Sequence, residues 1–438
     1  MSSEKEYSLS QQAKRFIEEN IELIENKDLD RLIEKSIEEL HGKYLVEVNN
    51  ILGDEKIDSG FLHSLPNFYA SHRINKIKCY NVGFGDCFLC KGENENGTKM
   101  LVDFGGSENY TNVKKDLIKE LSCAERKLLM LSHLHSDHYS GLKKIRSKKQ
   151  KDIFKFDEIY LPNYIANGGI YLLGSILLSS TNNSLIKLVK NILKIPALFP
   201  VFIKSDSKIY LLREGCKVYN TLCAFQALMP LNRNNFAIKK GGDSAALESF
   251  AKAYKKIINY PQNDTEEIVE ITAYSNEIGT AIDNLIAETR KQKEIDVDIS
   301  EDELKELFKH YHNSLSLAFQ EMYVKTDENV LFLGDAKAID IDKCTFNSEY
   351  CFLKVQHHGT KSHFTKYLPR AKYYAISNGG KKSRQEISCC YGMQYSLTTT
   401  FVCPNNANCE MLKYLGGCRS SMTCHKYCGS CLFHEIII

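Results

Sequence analysis

Residues 132–138 read Ser-His-Leu-His-Ser-Asp-His, which places His133, His135, Asp137 and His138 within six consecutive positions. Three of the chain's 13 histidines fall there. Imidazole nitrogens and a carboxylate are the donors that borderline and hard divalent cations such as zinc and manganese take. Four donors on so short a loop can hardly all serve one ion in good geometry, so the spacing points to two ions sharing the loop. The plainer alternative is a polar surface turn rich in histidine. The apolar run Leu128-Leu129-Met130-Leu131 comes directly before it. As a strand, that run would bring the donors out together on the loop at its C-terminal end.

Other stretches have the same character. Cys79-Tyr80-Asn81-Val82-Gly83-Phe84-Gly85-Asp86-Cys87-Phe88-Leu89 is followed by Gly97-Thr98-Lys99-Met100-Leu101-Val102-Asp103-Phe104-Gly105-Gly106. This reads as a strand, a Gly-Asp turn, a second strand and an Asp-x-Gly tip. Asn329-Val330-Leu331-Phe332-Leu333-Gly334-Asp335 reads as a buried strand ending in Gly-Asp, and Cys351–Thr360 as a short strand running into His357-His358-Gly359-Thr360. With the His-x-His-x-Asp-His spacing, these stretches resemble the metallo-β-lactamase superfamily. The His-His-Gly-Thr ending and the Val-Gly-x-Gly-Asp opening most resemble, within it, the nuclease domain of ComEC-type DNA-uptake proteins. The resemblance covers roughly residues 74–165 and 310–380, with an extra strand expected near 217–230. It implies an α/β fold, the αββα sandwich of that superfamily, with Asp335 bridging two metals. It also implies that Asp103 supports the histidine loop from behind without binding metal.

One ligand position stays open. Hydrolases of the superfamily supply another histidine between the first loop and the bridging aspartate, and His310 and His312 are the candidates here. His312 has nearly the family's spacing to the following strand, whereas ComEC-like domains carry an Asn-rich segment that Asn313-Ser314 fits equally well. Alternatively, His312 closes the polar helix Glu301–Tyr311 and faces water. Of His357 and His358, alternation along a strand leads us to expect only one at a metal. His363 reaches the substrate or is a surface histidine. The candidate metal set is therefore His133, His135, Asp137, His138, His312, Asp335, His357 and His358, with Asp137, Asp103 and Asn313 as candidate catalytic residues. Two divalent ions, zinc or manganese, bridged by a carboxylate would lower the pKa of a shared water and clamp a phosphate-like transition state. Asp137 could assist the proton transfer as well as bind metal.

Composition sets the limits. A chain of 438 residues with 43% hydrophobic content can bury a large core and more than one domain. The net charge of +2 is uninformative, but its distribution is not. Residues 1–74 hold nine Lys/Arg against fifteen Asp/Glu, and residues 352–438 hold eleven against three. The run Lys143-Lys144-Ile145-Arg146-Ser147-Lys148-Lys149-Gln150-Lys151 lies just past the donor loop. Positive charge there suits a nucleic acid or nucleotide substrate, and a solvated Lys-rich helix face is the plainer reading. The N-terminus lacks an apolar core segment, and the longest apolar stretch, Ile170–Leu178, is too short to span a bilayer. A cytoplasmic chain without membrane contact is expected, which sets it apart from membrane ComEC proteins.

Eight of the 16 cysteines crowd into the last fifty residues. Cys424-His425-x-x-Cys428-x-x-Cys431, with Cys403, Cys409 and Cys418, has the spacing of a structural zinc site, and reduced packing cysteines are the alternative. The organisation expected is an N-terminal helical segment over 1–73, a hydrolase domain over 74–388, and a Cys-rich region over 389–438. Helical insertions are expected at about 164–215 and 231–311. The helical additions suit docking of a protein partner. The reading is a binuclear metal-dependent hydrolase, a phosphodiesterase or nuclease, of a build that resembles enzymes of prokaryotic defence operons. A metallohydrolase acting on amide or ester bonds, or a partner-binding subunit with secondary hydrolysis, are the alternatives.

Overall fold

The apolar runs that lead into the candidate donors are strands buried on both faces, and so they read as continuous hydrophobic stretches. The computed structural model describes residues 73–106, 109–198, 202–232, 244–261, 268–271, 276–291, 300–322, 326–377, 400–402, 424–425 and 433–438. The expected N-terminal helical segment lies outside the described residues, as do Cys403, Cys409, Cys418, Cys428 and Cys431 of the expected zinc site. Cys424 is described only as backbone.

The chain folds as mixed α/β with two eight-stranded mixed sheets. The first holds β1 (Lys76–Tyr80), β2 (Phe88–Lys91), β3 (Lys99–Val102), β4 (Lys127–Met130), β5 (Phe156–Pro162) and β6 (Ile203–Leu212). The second holds β7 (Lys217–Tyr219), β8 (Ala224–Ala227), β10 (Phe319–Glu321), β11 (Val330–Phe332), β12 (Glu349–Lys354), β13 (Arg370–Ala375), β14 (Thr400–Val402) and β15 (Cys424–His425). Two strands from distant positions, β9 (Val269–Ile271) and β16 (Phe433–Ile437), complete the first sheet. The orders are β16-β1-β2-β3-β4-β5-β6-β9 and β15-β14-β13-β12-β11-β10-β8-β7. Strands β3 to β6 run parallel, as do β11 to β15. Register pairs Val102 with Met130 and Phe332 with Lys354, so the loops that follow these strands start level.

Alternation sorts the side chains into layers. Leu128 and Met130 of β4 join Phe88, Phe225, Phe319, Phe332 and Phe352 in a core between the sheets, while Leu129 faces the other way. The Phe88 and Phe332 rings meet edge-on at 5.5 Å, one from each sheet. Leu129 packs under helices, together with Leu101, Ile159 and Leu211. The helices are α1 (Tyr110–Ser122), α2 (Ser136–Lys143), α3 (Lys148–Ile153), α4 (Gly169–Ser179), α5 (Asn183–Leu193), α6 (Ile195–Leu198), α7 (Ser244–Ile257), α8 (Asn276–Lys291), α9 (Glu301–Ser314) and α10 (Ala338–Ile341). A third cluster, with Leu331, Leu353, Tyr374 and Ile341, covers the outer face of the second sheet. None of the described helices is long and apolar enough to cross a membrane.

Helix α9 shows how an insertion is made to deliver a side chain. Ser300 accepts from Glu303 N at its start, and Glu301, Asp302 and Glu303 lie at the positive end of the helix dipole. Leu304, Phe308 and Tyr311 form its buried stripe. Ser180 donates to Glu301 at 2.8 Å and Tyr311 Oη donates to the Tyr164 carbonyl at 2.6 Å, so both ends are anchored.

Three expectations on organisation are revised. The span 164–215 begins with α4 to α6 but closes on β6, where Ile209 and Leu211 face the helices and Tyr210 and Leu212 face the second sheet. This is a period of two, not of helix. The insertion over 231–311 contributes β9, antiparallel to β6. Within the Cys-rich region expected over 389–438, apart from the hydrolase domain, the described strands β14, β15 and β16 pair into the sheets, with β16 antiparallel to β1 along five residues.

Candidate metal centre

Four loops that carry the donors leave the C-terminal ends of β3, β4, β11 and β12. In α/β sheets, ligands bind outside the carboxyl ends of the strands. Asp103 follows β3 with a left-handed backbone, φ 58°. Its Oδ1 accepts from Ser132 N at 2.8 Å and its Oδ2 from Ser132 Oγ at 2.6 Å, which ties the loop after β4 to the end of β3. The same Oδ2 lies 2.8 Å from His138 Nδ1, so Asp103 grips the back of that ring and turns its Nε2 inward. His135 stands at the N-terminal boundary of α2 without a side-chain capping bond, and Asp137 sits in the first turn, where the helix dipole favours a carboxylate. His133 Nε2 lies 2.7 Å from His135 Nδ1.

This loop is pressed against the Asp-x-Gly tip. Phe104 N donates to His138 O at 2.7 Å and Asp86 N to Asp137 O at 3.3 Å. A Cβ on Gly105 would fall 1.2 Å from Asp137 O, so only glycine permits the approach.

The second sheet supplies the other side. Gly334, at φ 51°, releases Asp335 from β11, and Asp335 N donates to Ser316 Oγ at 3.1 Å. Asp335 Oδ2 lies 3.7 Å from His133 Nε2 and 3.5 Å from His358 Nε2, while Oδ1 lies 3.7 Å from His138 Nε2. Asp137 Oδ2 lies 3.3 Å from His358 Nε2 and 3.8 Å from His138 Nε2. Three sets of side chains close enough to hold a metal ion result: Asp137, His138, Asp335 and His358; His133, His135 and Asp137; and, behind them, Asp86, Asp103 and His138. His312 comes in beside the second set. It is 4% exposed, its ring centroid is 3.7 Å from that of His135, and its other face stacks on Phe308. It therefore does not face water.

Buried polar atoms without a hydrogen-bond partner are costly, and here several converge. Among the described residues, His138 Nε2, His312 Nε2 and Asp335 Oδ1 have none. An ion supplies what protein groups do not, and imidazole with carboxylate suits zinc or manganese. Electrostatics divides the histidines. Burial, and then the neighbouring histidines, keeps His133 and His312 well below the ordinary range, and burial brings His135 down to about 4 against the pull of Asp137 and Asp335. These three are neutral imidazoles at neutral pH. Burial acts in the same direction on His138 and His358, but the carboxylates around them win. Asp103, Asp335 and Asp137 hold His138 well above its ordinary value, and Asp335 with Asp86 raises His358 to about 9. Burial opposes ionisation of Asp335 and Asp137, yet the surrounding histidines keep Asp335 very low and Asp137 at about 2. A proton thus stands where a cation's charge would go.

The remaining candidates are placed less centrally. β12 ends at Lys354, and His357 and His358 lie beyond it on a left-handed turn with φ 44° and 56°, so strand alternation does not govern them. His358 is 1% exposed and enters the cluster. His357 stays at the rim, its Nδ1 3.6 Å from Asp335 Oδ2 and its ring stacked on His363 at 3.7 Å. Asn313 follows His312 on α9, but among the described residues no hydrogen bond joins its side chain to the cluster. Sequence reading passed over two residues, Asp86 and Lys354. Each is 1% exposed, and they pair at 2.5 Å directly behind the cluster. The available signal was a lone lysine in the apolar stretch Cys351–Val355, since a buried charge is the informative exception.

No family model matches this sequence, and comparison with curated proteins yields no match.

Proposed function

We propose that the chain is a metal-dependent hydrolase with the αββα sandwich of the metallo-β-lactamase superfamily, and that it cleaves phosphodiesters. The observation that carries the proposal is the placement of Asp335, whose carboxylate lies 3.7 Å from His133 and 3.5 Å from His358, between the two donor sets that Asp137 also joins. That donor chemistry fits two divalent cations, zinc or manganese. His133, His135 and His312 would hold one, Asp137, His138 and His358 the other, with Asp335 shared. Bound there, the ions would supply a water of lowered pKa and Lewis-acid stabilisation of developing negative charge.

The chain's own residues do the rest. Asp103 fixes the tautomer and plane of His138 through Nδ1. Asp137 is the proton acceptor of the pair, because its side chain is 22% exposed whereas that of Asp335 is 3% exposed. The stacked His357 and His363 rings border the cluster. Lys143, Lys144, Arg146, Lys148 and Lys149 are exposed on α2, α3 and their connection, immediately after the donor loop. Such a stripe favours a nucleic acid or nucleotide over an amide or ester substrate.

The test is to count bound metals in the purified protein and assay it with Mn²⁺ or Zn²⁺ against bis-(p-nitrophenyl) phosphate, DNA and RNA, beside Asp137→Ala and Asp335→Asn. Two equivalents of metal and phosphodiester cleavage that both substitutions abolish are expected. A chain that binds no divalent ion, or cleavage indifferent to both substitutions, refutes the proposal.

A further inference from the structure

Two buried charges lie behind the donor cluster. Lys354 ends β12 and Asp86 lies in the turn before β2, one from each sheet. Lys354 Nζ lies 2.5 Å from Asp86 Oδ2, and both side chains are 1% exposed. Desolvating two charges offsets most of what their attraction returns, so a buried pair is a poor device for stability alone.

Its surroundings supply a local task. The Nδ1 atoms of His138 and His358 each lie 3.7 Å from the Asp86 carboxylate. The Nε2 atoms of the same rings face Asp137 and Asp335. Asp86 therefore spans the backs of two imidazoles whose fronts meet the candidate metal position. Asp103 also grips His138 at 2.8 Å, so that ring has two carboxylates behind it. Lys354 serves the front as well. Its Nζ is 3.7 Å from Asp335 Oδ1 and donates at 3.0 Å to the carbonyl of Gly334, the residue before Asp335.

We propose that Asp86 and Lys354 form a positioning pair that orients His358 and His138, which with Asp137 would hold one divalent cation, and that steadies the Asp335 both cations would share. The site of His133, His135 and His312 shares only Asp335 with that set, so it depends on the pair less. This inference rests on the hydrolase reading above. A carboxylate behind Nδ1 sets the plane and tautomer of an imidazole and thereby aims its other nitrogen. The ammonium pins that carboxylate so that it cannot swing forward to become a ligand itself. It also joins the two sheets, so that the halves of the ligand set keep one spacing.

Equilibrium titration of the full chain with Co²⁺, followed by its visible absorption, tests the pair. The wild-type protein is expected to take up two equivalents. In Asp86→Asn, one equivalent weakens about 10- to 100-fold and loses its spectral signature while the other is retained. That variant leaves the Lys354 charge buried and unpaired, so Asp86→Asn/Lys354→Met, which replaces both charges by neutral groups of similar size, is titrated beside it. The double variant is expected to fold and to show the same selective loss. Two equivalents bound with wild-type affinity in the double variant, or equal weakening of both, overturn the positioning role. If the wild-type chain binds no Co²⁺, the hydrolase reading itself falls and the pair's role falls with it.

Discussion

Replacing Gly105 with alanine tests the packing that holds the donor loop in place. The new Cβ would stand 1.2 Å from Asp137 O, 2.0 Å from Asp137 C and 2.7 Å from His138 N, all backbone atoms that no rotamer change can clear. Real Cβ atoms essentially never approach closer than 3.0 Å, so the Asp137 carbonyl must retreat. The retreat is about 2 Å, roughly ten times the ~0.2 Å within which metal–ligand distances hold. It carries both Asp137 and His138, since the Phe104 N–His138 O bond at 2.7 Å is strained by the same movement. Overpacking of this kind costs about 1–3 kcal/mol, and a 1 Å misplacement at a reacting centre can cost about 100-fold in rate. We therefore expect Gly105→Ala to melt a few degrees lower, to lose one equivalent of metal, and to hydrolyse bis-(p-nitrophenyl) phosphate at least about 100-fold more slowly. Gly279→Ala is the control, because its Cβ would meet only Ala197 Cβ at an ordinary 3.5 Å. It lies within α8, where alanine is the better helix former by about 0.5–1 kcal/mol. If Gly105→Ala binds metal and melts as the wild type does, the account of the loop is wrong.

Three further outcomes are expected. Burial raises the Glu321 carboxyl from 4.5 to about 8, so its contribution to stability is complete below its ordinary pKa and is lost as the pH rises through about 8. Glu321→Gln should therefore gain on the wild type between about pH 5 and about pH 9, by up to on the order of 4–5 kcal/mol in urea unfolding, and an unchanged gap refutes this. His358 is lifted to about 9 because Asp335 and Asp86 outweigh its burial, so a divalent ion bound at neutral pH must expel that proton. Affinity should climb with pH towards about 9, and calorimetric heats that do not vary with the buffer's ionisation enthalpy would contradict it. Finally, Lys148→Glu/Lys149→Glu should weaken polynucleotide binding and flatten its salt dependence while leaving turnover of bis-(p-nitrophenyl) phosphate unchanged. Unaltered polynucleotide affinity would remove α3 from the substrate path.

The parts of this protein legible in its sequence are those that local physics specifies. The six-position donor loop, the apolar strand before it and the Gly-Asp end of β11 each lie within a few consecutive residues, as does the charge pattern that starts α9. The two-sided burial of β4 and β11 shows as apolar runs, and Cys79, Cys90 and Cys351 in the described strands are free and buried, as small apolar residues are. Tertiary structure decided which donors meet. His312 could equally have faced water at the end of a polar helix, and it is buried against His135 because Tyr311 and Glu301 anchor α9 to residues far away in the chain. His358 enters the cluster and His357 stays at its rim because a left-handed turn, not a strand, aims them. Asp86 and Lys354 become partners only when the two sheets stack and bring them together at 2.5 Å. A residue's type and its neighbours in sequence set what it can do chemically. Where its side chain points, and which opposite charge it meets out of water, depends on register and packing between segments that no local pattern encodes.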